Sequence, residues 1–166
     1  TFALRLENDV IGGTDQGYSS GAALTLSRNG GGLLGGVWEW LGAERGEQFS
    51  SYEFGQLIVT PNDTRRAVPD PADRPYAGLL YAAASTQIVR GDRLDGLKVV
   101  VGVVGPASLA AETQQLIHEV NGSGQALGWS HQLENEPILN VVYEQRRRFR
   151  LLESRGGWGV DGIPRF

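Results

Sequence analysis

Cysteine is absent from this chain, which excludes both a disulfide framework and a thiolate metal site. No run approaches the roughly 18 to 20 apolar residues that a membrane-crossing helix needs. Strands of about 9 to 11 residues cross a bilayer on weak alternation alone, so the missing run does not exclude a membrane. Positive charge is scarce too. Fifteen Lys and Arg stand against 19 Asp and Glu, a net charge of -4 with no overall basic footprint for nucleic acid. There is no Gly-x-Ser-x-Gly nucleophile elbow, and only two histidines are available as bases near neutrality.

What remains is 166 residues that are 40% hydrophobic and 20% charged, enough for one domain with a real core. The 24 glycines follow no collagen period and fit turns and close-packed strands better than long helices. The chain opens directly in a strand-like run with no basic or apolar leader, the expectation for a protein whose signal peptide has been removed.

Alternation supplies the elements. Phe2, Leu4 and Leu6 share one parity, and Arg5, Glu7 and Asp9 the other, which is a strand with one apolar and one polar face. A Gly-rich turn at 12–17 returns the chain as a second strand over 18–28, so a hairpin sets Asp9 roughly opposite Ser19. Further strands are expected over 51–60, 78–89, 94–104 and 137–151, with a seventh starting at Trp158. Residues 29–48 read as a loop with a brief helix near Val37 to Leu41. Residues 61–76 read as an irregular loop interrupted by prolines. Residues 107–120 read as a helix with an apolar stripe of Leu109, Leu116, Ile117 and Val120; Gln114 and His118, four apart, share another face.

If consecutive strands are antiparallel, the connections 11–17, 61–76 and 105–136 all fall at one end of the sheet. Every residue suspected of chemistry lies there. His118 is a candidate general base that takes a proton from water, against the plain reading of a solvated helix residue; His131 competes with it from an irregular stretch. Gln114 could orient the imidazole or a water. Asn8 and Asp9 offer oxygen ligands for a hard cation such as Ca2+, against ordinary turn chemistry. Ser19 is a hydrogen-bonding hydroxyl more than a nucleophile. Arg65, Arg66 and Arg74 could hold phosphate by forked hydrogen bonds, or pair with Asp70 and Asp73. Arg146, Arg148 and Arg150 share a strand face with Glu144, as in a polar barrel interior rather than a nucleic-acid surface. Alternation alone leaves a soluble sandwich, a lipocalin-like barrel with its apolar face inward and an inside-out barrel all open.

Ordered motifs go further. Glu7-Asn8-Asp9, Thr14-Asp15 with Tyr18-Ser19-Ser20-Gly21, Arg74-Pro75-Tyr76-Ala77-Gly78, Gly102 to Pro106, Gln114-x-x-x-His118, and Gly128-Trp129 through Asn135-Glu136-Pro137 occur in sequence. Together they resemble the lipid A deacylase family of Gram-negative outer membranes, enzymes that remove the 3'-linked acyloxyacyl chain of lipid A. The family commonly has Tyr-Thr-Asn-Gly where this chain has Tyr18-Ser19-Ser20-Gly21, so the hydroxyl is kept and the amide lost.

The resemblance implies an all-β, antiparallel transmembrane β-barrel of twelve strands with a helix in an extracellular loop, Ca2+ dependence, and a site between helix and wall. It implies His118 as the water-activating base, Gln114 as its helix partner, Asn8, Asp9 and Ser19 as polar, metal-associated residues, and Arg65 and Arg66 as substrate-binding groups. The implied substrate is lipid A of lipopolysaccharide, acted on by a monomer among outer-membrane lipids without nucleic acid. About seven strands cannot close twelve, so residues 1–166 are expected to be the N-terminal portion of a longer barrel. The rival expectation is a non-catalytic outer-membrane barrel, a channel or adhesin.

Overall fold

The computed structural model describes residues 1–8, 20–122, 124–153 and 159–164, with Asp9 and Ser19 outside them. Six strands form one antiparallel meander: β1 Phe2–Asn8, β2 Ser20–Asn29, β3 Glu47–Val59, β4 Ala77–Arg90, β5 Arg93–Val104 and β6 Glu136–Arg147. A separate pair, β7 Phe149–Glu153 and β8 Gly159–Gly162, follows. The strand expected over 137–151 is thus interrupted. Arg148 breaks the ladder between β6 and β7, although its amide still donates to Asp92 O at 2.7 Å.

Helices occupy the long connections. A 3-10 turn, Gly32–Leu34, and helix α1, Gly36–Trp40, join β2 to β3. A second 3-10 turn, Pro106–Ser108, leads into helix α2, Ala110–Asn121, between β5 and β6. The helix near residue 37 is therefore where alternation failed and a Trp-rich run remained. The longer helix starts three residues later than expected, because the Gly105-Pro106 bend is taken up by the 3-10 turn.

Register separates two faces, since cross-strand partners in an antiparallel ladder share a side. One face carries Leu4 opposite Leu24, Leu24 opposite Phe54, Phe54 opposite Ala82, Ala82 opposite Val101 and Val101 opposite Leu139. That row is exposed: Leu4 is 68% and Leu139 72% accessible. The other face carries a polar ladder across five strands, β1 to β5. Tyr81 OH donates to Glu53 Oε1 at 2.9 Å and lies 3.4 Å from the Arg5 guanidinium; Lys98 Nζ stands 3.5 Å from Glu53, and Thr25 Oγ1 donates to it at 3.3 Å. Glu144 and Arg146 pair on the same side.

An apolar face left bare and a polar face internally bonded invert the logic of a soluble sandwich, whose apolar side is covered. They suit a barrel wall with lipid outside and a polar lumen inside. Burial is correspondingly scattered. On the outer face Ile58 and Ala110 are buried near the foot of α2, Trp38, Thr86 and Ile88 around α1; on the inner face Ala23, Tyr81 and Ala83 are buried.

Candidate active site

The connections from β3 to β4 and from β5 to β6 leave the same end of the sheet, and α2 lies over the outer face there. Its start is pinned from several sides. Gln56 Nε2 donates to Ser108 O at 2.6 Å, Gly105 N to Gly78 O at 3.0 Å, and Asn135 Oδ1 accepts from Ala107 N at 2.8 Å. Gly78 is required by this seat: a Cβ there would run into Ser108 Oγ and the Ala110 methyl. Gly122, left-handed at φ 72°, ends the helix by donating its amide to His118 O.

The helix is turned opposite to the packing expected from its apolar stripe. Ala110 is buried, and Ala111, Thr113, Gln114 and His118 are half-buried, whereas Leu109, Leu116, Ile117 and Val120 face outward, Val120 at 82% exposure. A soluble helix would bury that stripe. Here the polar face turns toward the protein and the stripe stays bare, as suits a helix at the edge of a lipid-facing wall.

His118 and Gln114 consequently open into one cleft of about 140 Å3, lined also by Ala111, Gln115, Gln125, Ala126 and Trp129. Gln114 Oε1 accepts from the Trp129 indole at 2.7 Å. The carbonyl that was expected to orient the imidazole is thus engaged with the 3-10 turn Trp129–His131. Trp129 rests on Tyr76, ring centroids 4.9 Å apart at 52°, and Tyr76 OH donates to Thr64 O at 3.2 Å. Burial pushes the Tyr76 phenol up, so it stays a neutral donor. His118 Nδ1 is buried with no hydrogen-bond partner among the described residues. Such an atom is uncommon and marks a place where a water, ion or reacting group completes the bonding.

Asn8 pairs with Ser20, and the same register row continues through Ile58 to Gly78, where α2 begins. The backbone therefore sets the Asn8 position on the row that carries the helix. Asp9 and Ser19, expected to face each other across this hairpin, lie outside the described residues. Among the described residues no three His, Asp or Glu side chains gather to hold a metal ion.

The 61–76 loop is braced by its own charges. Arg65 reaches Asp63 at 3.5 Å, Arg66 reaches Asp70 at 3.1 Å, and Arg74 bonds Thr60 O and Asn62. The Ala72 amide and the Arg66 guanidinium hold the Asp70 carboxyl below the usual carboxylate range. Arg65 nevertheless lines an open cleft of about 470 Å3 with Thr64, Gly124 and Gln125, and Gln125 also borders the His118 cleft. Arg66 lies in a neighbouring cleft beside Asp70 and Asp73. His131 is exposed, 3.1 Å from Ser130 Oγ, and does not line the His118 cleft. Trp129, Tyr76 and Gln125 had no role on sequence grounds; the only hint was that the first two sit in quoted motifs.

An antiparallel wall with apolar residues outward, a bonded polar inner face and a helix laid over the outer rim defines an outer-membrane β-barrel with a polar cleft at the lipid boundary. The chain belongs to the outer membrane protein LpxR family, whose pattern matches residues 1–166. The fold is also that of LpxR from Salmonella typhimurium, with a TM-score of 0.73 at 18% identity over 99% of this chain. The chain spans 58% of that protein's length. Comparison with curated protein sequences gives no match.

Proposed function

We propose that this protein hydrolyses the 3'-linked acyloxyacyl ester of lipid A at the outer membrane, and that residues 1–166 are the N-terminal portion of the enzyme. Family membership supports the lipid A deacylase reading. The observation that carries it is the half-buried His118 in a polar cleft, with its Nδ1 unpartnered among the described residues, on a helix whose apolar stripe faces lipid. An acyl chain can then lie along the wall while its ester reaches the cleft.

In this reading the His118 imidazole takes a proton from a water held in the cleft and later returns it to the departing hydroxyl. Gln114, held by Trp129, keeps the helix face in place and lines the water's side of the cleft. Arg65 and Arg66 receive the phosphate of the glucosamine backbone by charge-assisted bonds, Arg65 from the cleft that shares Gln125 with His118. Ser19 supplies a supporting hydroxyl.

A calcium ion fits the donor set at the β1 end, where the amide oxygen of Asn8 and the carboxylate of Asp9 are hard oxygen ligands adjacent in sequence. Asn8 and Asp9 would hold it, and when bound it supplies positive charge against the oxygen of the ester carbonyl.

The test is mass spectrometry of lipid A from cells expressing the full-length protein. Loss of one acyloxyacyl unit is expected, abolished by calcium chelation, by Asp9→Ala and by His118→Ala, while heat-modifiable mobility of the variants is retained. His118→Ala should lower the rate about 100-fold or more, the usual worth of a general base. Activity retained in His118→Ala would remove the proposed base, and unchanged lipid A with the folded parent protein would leave a non-catalytic barrel.

A further inference from the structure

The rim opposite the candidate site is built as a lipid contact of its own. Residues 30–46 connect β2 to β3 at the end where the β4–β5 connection is only Gly91 and Asp92. Short connections mark the periplasmic side of an outer-membrane barrel. This one is long, yet it does not extend away from the wall. It folds back onto the outer face: the Leu33 amide donates to Tyr52 OH at 2.9 Å, and the Trp38 indole donates to Thr86 Oγ1 at 3.0 Å. Gly32, at φ 60°, permits the approach, because a Cβ there would strike Tyr52 OH and Ser50.

The two helices bracket the apolar band. α2 sits on Gly78 and α1 on Thr86, eight residues apart on the same face of β4. That is roughly 27 Å along the strand at about 3.4 Å per residue. A tilt of about 35–45° lowers it to about 20 Å, against an outer apolar band of about 25 Å. A helix at each edge of such a band lies at the hydrocarbon boundary. Trp40 and Leu33, each 82% exposed, point away from the sheet on a segment held there. Exposed Trp at this depth is the chemistry of an interfacial anchor.

Under the 3-10 turn runs an open groove of about 530 Å3, roofed by Leu33 and Leu34. Its floor is alanine, Ala82 and Ala84, between the larger Phe54 and Val101. It is continuous with the lipid-facing band, and its size falls in the about 300–1,000 Å3 range of small-molecule sites.

We infer that residues 32–41 form a wedge in the inner leaflet of the outer membrane and that the groove beneath it holds one acyl chain of a phospholipid. The wall alone would slide past fluid lipid. The roof of Leu33 and Leu34 turns one strip of it into a site with three sides.

The absence of cysteine in this chain makes the test direct in the full-length protein, any cysteine elsewhere being replaced by serine. Spin labels at Leu33→Cys and Trp40→Cys, in vesicles of palmitoyl-oleoyl phosphatidylethanolamine and phosphatidylglycerol, should relax with oxygen and be shielded from a water-soluble nickel chelate, as a Leu24→Cys label is. A Glu44→Cys label should show the reverse. Native mass spectrometry should find one phospholipid retained by the parent protein, and at least tenfold less by Ala84→Trp, which fills the floor, and by Leu34→Ser, which alters only the roof. Labels at positions 33 and 40 that respond to nickel like the one at 44 overturn the wedge. Shielding from both agents points to a protein occupant and overturns it as well. Lipid retention unchanged in both groove variants overturns the acyl-chain site.

Discussion

At the scale of single residues, the bond between Trp129 and Gln114 joins the two halves of the site. It ties the helix that carries His118 to the loop that carries Tyr76, across 15 residues of chain. A partly buried neutral hydrogen bond contributes about 0.5–1.5 kcal/mol. If Gln114 acts by holding this contact, Gln114→Ala and Trp129→Phe should each slow deacylation about 2- to 12-fold. The double variant should then be no worse than the slower single one, because both remove the same bond. Rate losses that multiply would instead give Gln114 a separate role at the reacting water. This residue was legible in the sequence through its spacing from His118, but its partner was not: nothing in spacing says that a tryptophan 15 positions later returns to the same turn of helix.

At the scale of elements, the seat of α2 is a two-body fit between Gly78 and the Ser108-to-Ala110 corner. Gly78→Val should displace the helix from the wall and abolish deacylation, while the barrel retains heat-modifiable migration in electrophoresis. Gly96→Ala is the matched control on β5, since a Cβ there meets only ordinary contacts, the nearest at 3.6 Å. Its activity should equal the parent's within about twofold. Loss of activity in both would show that strand glycines act through folding rather than through the helix seat. The existence of α2 and the strand order were readable from period and turn residues. Its orientation was not, because the stripe Leu109, Leu116, Ile117, Val120 was read by a rule for helices in water.

At the scale of the whole molecule, the wall separates two solvents. Val101 sits in the exposed apolar row opposite Leu139 and Ala82, the latter halfway along β4 between the helix seats at Gly78 and Thr86, while Val100 pairs with Ala83 and Asn140 on the polar face. Arg at the lipid midplane costs about 2–4 kcal/mol. Val101→Arg should therefore lower folding stability in lipid vesicles by that amount, read from urea titration, and Val100→Arg by clearly less. Equal losses would contradict the assignment of faces. The inner ladder has its own test. Glu53 serves Tyr81, Thr25 and Lys98 at once, and Glu53→Leu leaves those groups without their shared acceptor. A loss of about 1–3 kcal/mol is expected in the same titration; no loss would mean that lumen water replaces the carboxylate fully.

The sequence by itself determined the strands of the main sheet, apart from the break at Arg148, because side-chain alternation with period two survives any later packing, and it determined which residues share a face. It also carried the family through short motifs in fixed order, and it put His118 and Gln114 on one side of a helix. Only the tertiary structure decided which face meets lipid, since alternation is the same for a sandwich and for a barrel and only the partners of each face differ. The bonded ladder from Arg5 to Lys98 and the bare row from Leu4 to Leu139 settle it. Tertiary structure also decided that α2 shows its polar side to the protein, and that a Trp-rich connection at the other rim returns to the wall. In both cases the deciding term is contact between residues far apart in the chain, set by which side of the wall is oil.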